Sequence, residues 1–131
     1  MSNVYERTVA GDIESVGQRL EQAVKDRSYG VLGQIDLRQK MRDKGLAFEP
    51  ACRVYEVCNP ARARTVLERD LQVSTALPCR IALYERAGRV HVATLRPSII
   101  LAAFDRPELA GEAEVVEADL IAILDQVASG S

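Results

Sequence analysis

The chain has 131 residues, of which 47% are hydrophobic and 27% charged, and its formal net charge is −2. This length predicts one domain over residues 1–131, with a core large enough to need no disulfides. The slight acidity and the aromatic content of 5% argue against a nucleic-acid partner. The beginning of the chain is acidic and no apolar run is long enough for a membrane span, so we expect a cytoplasmic protein with no membrane partner.

The first part of the chain predicts alternating strands and helices. β-Branched residues predict the first strand, and apolar residues recurring on one helical face predict the first helix. Aspartates stand where both helices should begin, and such side chains accept hydrogen bonds from free helix amides. The predicted elements are a strand at 4–9, a helix at 12–27, a strand at 29–35 and a short helix after Asp36 that Gly45 ends.

The second part predicts a strand, a helix, a hairpin and two further helices. Asn59 suits the N-cap of its helix, and Pro60 suits the first helical position because its missing N–H has no partner there. The last helix repeats the one-sided apolar spacing of the first. The predicted elements are a strand at 51–58, a helix from Asn59 to about Glu68, a hairpin at 79–95, a short helix opened by Pro97 and a helix at 112–127.

The hairpin predicts its own register and therefore its two faces. A two-residue turn at Ala87-Gly88 places Tyr84 opposite His91 and Leu83 opposite Val92. An antiparallel sheet with helices on one side, and hence an α+β fold, follows from this pattern. The predicted core face carries Cys79, Ile81, Leu83, Val90, Val92 and Thr94. The other face carries Arg80, Ala82, Tyr84, Arg86, Arg89, His91 and Ala93.

Cys58 lies just before the predicted N-terminus of a helix. Free amides and the positive end of the helix dipole favour an anion there. We therefore expect Cys58 to be the most thiolate-like of the three cysteines in the chain. Arg62 and Arg80 supply nearby positive charge. The alternative is that Cys58 is a small buried hydrophobic residue, as free cysteines often are.

Cys79 opens the hairpin on its core face and lies close to Cys58 if their strands are antiparallel neighbours. Such a thiol pair binds sulfur, a soft metal or an oxidant, unless the two cysteines are only packed together. The spacing lacks the CxxC pattern of zinc sites, so no metal is predicted and no cofactor is identified.

Glu56 and His91 are further candidates for chemistry. Glu56 alternates with Cys58 along its strand, so it either points inward as an acid–base group or lies in water on an edge strand. His91 is either a site residue or a solvated cross-strand partner of Tyr84.

Two short motifs carry a resemblance that covers nearly the whole chain. Cys58-Asn59-Pro60 and Leu77-Pro78-Cys79, with the upstream segment YGVLGQIDLRQKMRDKG, resemble the family called domain of unknown function 302. The sequence departs from the family pattern at residues 70–74, where a D-P-x-x-G turn is usual. The resemblance implies a curved antiparallel sheet backed by helices, similar to the TATA-binding-protein arrangement. It does not imply DNA binding, since fold does not determine function. It implies no reaction either, since the name of the family assigns none.

Three functions remain open from the sequence. The first is a binding domain that holds a small anionic or sulfur-containing ligand at a corner formed by candidate residues. The second is an interaction module that forms a homodimer through the open sheet face. The third is a thiol-dependent enzyme of redox or sulfur-transfer chemistry. The candidate ligand-binding residues are Glu56, Cys58, Asn59, Arg62, Cys79 and Arg80.

Overall fold

The computed structural model describes residues 2–130, which form a five-stranded antiparallel sheet and five α-helices. The α+β class predicted from the sequence is confirmed. The strands are β1 (Val4–Val9), β2 (Gly30–Asp36), β3 (Cys52–Cys58), β4 (Cys79–Arg86) and β5 (Arg89–Leu95). The helices are α1 (Ile13–Asp26), α2 (Leu37–Asp43), α3 (Pro60–Arg69), α4 (Pro97–Ala102) and α5 (Ala110–Ala128), with 3₁₀ turns at Leu71–Ala76 and Pro107–Leu109.

Three of the helices begin at the polar residues that the sequence indicated. The side chains of Asp12, Asp36 and Asn59 each accept a hydrogen bond from an amide in the first turn of the helix that follows. Such caps satisfy donors that have no partner inside the helix. The last helix starts at Ala110, two residues earlier than predicted, because the 3₁₀ turn led by Pro107 runs directly into it.

All neighbouring strands are antiparallel, in the order β1-β5-β4-β3-β2. The predicted hairpin register is confirmed, with Tyr84 opposite His91 and Leu83 opposite Val92. Ala87 and Gly88 have φ angles of +55° and +75°, so both central residues of the turn are left-handed. Such turns match the right-handed twist of the strands that they join.

Helices α1 and α5 pack on one face of the sheet and form the main core with it. The predicted core face of the hairpin is confirmed, since Ile81, Leu83 and Val92 are fully buried. A smaller apolar cluster joins α3, α4 and α5 beside the sheet, through Val66 and Leu101 among others. In the described part of the chain, no helix has the length and apolarity needed to cross a bilayer.

The opposite face of the sheet lies away from α1 and α5, yet His91 is only 7% exposed there. Its ring stacks on Tyr84, with centroids 5.7 Å apart. Glu6 on β1 accepts hydrogen bonds from the Tyr84 hydroxyl and, at 2.8 Å, from Arg86. The cross-strand pairing of His91 with Tyr84 was predicted correctly. The prediction that His91 is solvated is wrong, because long side chains from β1 and β4 close over the ring.

The Glu6 carboxylate offers a test of this surface network. Hydrogen bonds from Arg86 and Tyr84 hold the pKa of Glu6 below its ordinary value. The stability that Glu6 contributes is therefore full above its unfolded pKa and is lost as pH falls through the lower folded pKa. We expect Glu6→Gln to lower the free energy of unfolding by about 1 kcal/mol at neutral pH. The difference in the free energy of unfolding between the two proteins should shrink as pH falls below about 4.

Urea denaturation of both proteins across this pH range measures the effect. Glu114→Gln, at an exposed position on α5, is the matched control and should change little. A deficit for Glu6→Gln that stays constant with pH would contradict the ionic role of this carboxylate.

Gly17 lies where α1 comes closest to the sheet. A Cβ atom at this position would lie 2.6 Å from the hydroxyl oxygen of Tyr55, whose ring is buried and cannot swing away. Alanine normally stabilises a helix relative to glycine by up to about 1 kcal/mol, but overpacking costs about 1–3 kcal/mol. We therefore expect Gly17→Ala to destabilise the protein. The control Gly111→Ala in α5, where a Cβ meets nothing within 4 Å, should be neutral or stabilising in the same denaturation assay.

Candidate functional site

The pairing of β3 with β4 brings two cysteines, 21 positions apart in sequence, into one cavity. Val57 lies directly opposite Cys79, so Cys58, the last residue of β3, lies diagonally across from it. Both cysteines line a cavity at the end of the sheet, together with Asn59 and Arg62 from the start of α3. Four of the six predicted site residues are therefore brought together.

This cavity, which we call the thiol pocket, is small and mainly apolar. Its volume is about 40 Å³, whereas pockets for drug-sized ligands have about 300–1,000 Å³. A ligand of only a few non-hydrogen atoms fits such a volume. Apart from Cys58, Cys79, Asn59 and Arg62, its walls include Tyr29, Val57, Val66, Leu77, Ile100, Leu101 and Val116.

The polar groups near Cys58 are occupied by other partners. The side-chain oxygen of Asn59 accepts hydrogen bonds from the amides of Ala61 and Arg62, at 3.1 and 3.2 Å. The guanidinium of Arg62 forms an ion pair with Glu112 on α5, at 3.4 Å. The amides and the cation that were expected to stabilise a thiolate at Cys58 are therefore engaged elsewhere.

Burial keeps the two pocket thiols protonated. It raises the pKa of Cys79 to about 11, with a further contribution from the neighbouring Cys58. It also raises the pKa of Cys58. The pKa of Cys58 is therefore raised and not lowered, because loss of hydration outweighs a helix terminus whose amides are already capped. That Cys58 is the most thiolate-like of the three cysteines stays a prediction. Burial raises the pKa of Cys52 as well, and Asp36 adds to this effect.

Glu56 and Arg80 do not reach the thiol pocket. They lie directly opposite each other on β3 and β4 and point to the open face of the sheet, where their side chains form an ion pair at 3.9 Å. The sequence suggested that Glu56 either points inward or lies on an edge strand. Neither is the case, since β3 is an interior strand with β2 and β4 on its two sides.

Several pocket residues were not anticipated from the sequence. Tyr29 contributes its ring while its hydroxyl donates a hydrogen bond to Asp119, at 2.9 Å. Ile100 and Leu101 on α4 and Val116 on α5 form much of the apolar wall. The signals for the helical residues were the apolar helix opened by Pro97 and the one-sided apolar spacing of the last helix. The positions of both helices relative to the cysteines depend on tertiary packing.

The described residues contain no group of three or more histidine, cysteine or acidic side chains that could hold a metal ion. The thiol pocket supplies the two sulfur atoms of Cys58 and Cys79 and no carboxylate. Its chemistry therefore rests on two neutral thiols in apolar surroundings.

The model of the family described as domain of unknown function DUF302 matches residues 5–127. The chain belongs to the DUF302 family. It is also similar to the crystal structure of an uncharacterized conserved DUF302 protein from Bacillus stearothermophilus, with 31% sequence identity and a TM-score of 0.94. That similarity covers 97% of this chain and 99% of the other. No curated protein matches the chain.

The raised thiol pKa values predict how this DUF302 protein reacts with an alkylating reagent. At pH 8 a thiol of pKa 11 is about 0.1% ionised, so Cys79 should react slowest with iodoacetamide. Cys58 should show a rate that still rises between about pH 8 and 9, since its pKa lies above the ordinary value. Peptide mass spectrometry of the native and the urea-unfolded protein, which serves as the control, measures each rate. A Cys58 rate that levels off below pH 8 in the native protein would show a stabilised thiolate instead.

Proposed function

We propose that this DUF302 protein is a binding domain for a small sulfur-containing molecule, held in the thiol pocket between Cys58 and Cys79. The observation that carries the proposal is that two cysteines from separate strands line one mainly apolar cavity. Thiols are soft and polarizable, and sulfur atoms pack well among apolar side chains. A neutral sulfide or thiol thus meets favourable contacts without the desolvation cost of a charge.

Of the two ligand classes considered from the sequence, the sulfur-containing one has the better support. An anion in the thiol pocket would find the α3 amides bound to Asn59 and Arg62 bound to Glu112. Burying a charge without partners costs far more than burying an apolar group. The pocket is therefore better suited to the uncharged part of a ligand.

The same electrostatics make a thiol-dependent enzyme less well supported. Nucleophilic attack and disulfide exchange require the thiolate, and a thiol with a pKa near 11 provides about one thiolate in ten thousand at pH 7. Known reactive cysteines have lowered pKa values. Recognition of sulfur without covalent chemistry agrees better with these thiols.

Dimethyl sulfide is a suitable probe, because its three heavy atoms suit the small pocket. At the ceiling of about 1.5 kcal/mol per atom, it binds with a Kd no tighter than roughly 0.5 mM. We expect its titration to shift the ¹⁵N–¹H NMR signals of Cys58, Ala63 and Cys79. Dimethyl ether, of the same shape but with oxygen, should bind at least several-fold more weakly.

Variants locate the binding site. Cys58→Ser and Cys79→Ser should weaken binding of dimethyl sulfide, whereas Cys52→Ser is the matched control outside the pocket. Ala63→Leu should abolish binding by filling the cavity while leaving both thiols in place. Equal binding of sulfide and ether, or equal loss in Cys52→Ser, would reject the proposal. Thermal melting verifies that each variant is folded.

The homodimer through the open sheet face stays a prediction. Val4 and Leu95 on that face are 42% and 45% exposed, which agrees with a partly apolar contact. Glu6, Tyr84 and Arg86 already cover His91, however, which reduces the apolar area left for a partner. The sequence predicts a dimer by light scattering at high micromolar concentration, and a monomeric mass would reject this prediction.

A further inference from the structure

A second cavity, which we call the open-face groove, lies on the uncovered side of the sheet and has a volume of about 400 Å³. Its floor includes a row of three neighbouring residues on adjacent strands, Val54, Ala82 and Ala93. The two alanines are short, whereas Tyr84 and Leu95 beside them are long. The hollow therefore results from small side chains in the middle of the sheet.

The open-face groove adjoins the thiol pocket. Ala76, Cys79 and Ile100 line both cavities, so the two cavities meet at these three residues. Cys79 belongs to the thiol pair itself. A ligand whose sulfur contacts the cysteine pair therefore has the open-face groove as the space for the rest of its length.

The size of the thiol pocket makes such an extension necessary for tight binding. A ligand confined to it reaches only a Kd of about 0.5 mM, because affinity is limited by the number of non-hydrogen atoms. The open-face groove has about ten times the volume and a mainly apolar lining, which suits an aliphatic chain.

Arg80 determines the chemistry expected at the other end of the ligand. Among the described residues that line the open-face groove, it is the only cation. Its ion-pair partner Glu56 is 3.9 Å away. Because the side chain of Arg80 is 57% exposed, this ion pair is long and weak. The other carboxylate of this face, Glu6, is held by Tyr84 and Arg86. A ligand carboxylate that meets Arg80 with two short hydrogen bonds would displace Glu56.

We propose that the ligand is a sulfur-containing aliphatic acid, with its sulfur at the Cys58–Cys79 pair, its chain in the open-face groove and its carboxylate on Arg80. This inference rests on the proposed function, since it extends the same site. It assigns Arg80 as the residue that recognises the acid and Glu56 as a competitor for it. No bond to the protein forms or breaks in this binding.

Calorimetric titration of the full chain, in the presence of a phosphine reductant, tests the ligand class. The probes are ω-mercaptohexanoate, mercaptohexanol without the carboxylate and hexanoate without the sulfur. We expect the mercapto acid to bind tightest and each analogue at least tenfold more weakly. Mercaptohexanol loses the carboxylate contact with Arg80, and hexanoate loses the sulfur contact with the cysteines.

Two substitutions with opposite expected effects test the acid end. Arg80→Gln should weaken binding of the mercapto acid at least tenfold and leave binding of mercaptohexanol unchanged. Glu56→Gln should strengthen binding of the mercapto acid several-fold by removing the competing carboxylate. Arg89→Gln, at an exposed arginine of the same hairpin outside the open-face groove, should have no effect. The Glu56→Gln gain should vanish in the double variant with Arg80→Gln.

The outcomes separate the two proposals. If Cys58→Ser and Cys79→Ser weaken binding but Arg80→Gln and Glu56→Gln leave it unchanged, the sulfur site holds and this inference fails. If hexanoate binds as tightly as the mercapto acid, the proposed function fails, and sulfur recognition with it. If the mercapto acid does not bind and light scattering shows a dimer that Arg80→Gln dissociates, a second copy covers the open-face groove and the inference is overturned.

Discussion

The antiparallel register between β3 and β4 is the constraint on which the whole candidate site depends. It places Val57 opposite Cys79 and, one position along, Glu56 opposite Arg80. Because side chains alternate between the faces of a sheet, this register brings Cys79 to the core side and Arg80 to the open side. A slip of one residue would exchange the two faces, so the apolar core of the hairpin also maintains the position of the thiol.

The chemistry of the thiol pocket follows from competition for a few polar groups at the start of α3. Asn59 caps the helix and thereby takes the amides that would otherwise favour a thiolate at Cys58. Glu112 pairs with Arg62 and neutralises the nearest cation on that helix. The contacts that stabilise α3 and its packing on α5 are thus the ones that leave the cysteines neutral. Stability of this corner and reactivity of its thiols are opposed.

The two faces of the sheet have different roles because only one is covered by helices. The covered face forms the main core with α1 and α5. On the open face, a network of charged and aromatic side chains protects His91 at one end, and short alanines leave a hollow beside Arg80 at the other. The thiol pocket lies where the apolar interior meets the charged open face of the sheet.

The sequence by itself determined the features that depend on neighbours along the chain. The helix starts at Asp12, Asp36 and Asn59 follow from local capping, and the hairpin register follows from a two-residue turn between alternating apolar residues. The proximity of the two cysteines could also be inferred, because adjacent antiparallel strands were predicted to end and begin there.

Only the tertiary structure decided what those cysteines face. Glu112 lies 50 positions from Arg62, and the apolar walls at Ile100 and Val116 come from helices whose docking no periodicity specifies. The burial of His91 likewise depends on Glu6, which β1 brings to β5 from 85 positions away. Exposure, ion pairing and pKa are set by contacts between elements that are distant in sequence, and local patterns do not encode them.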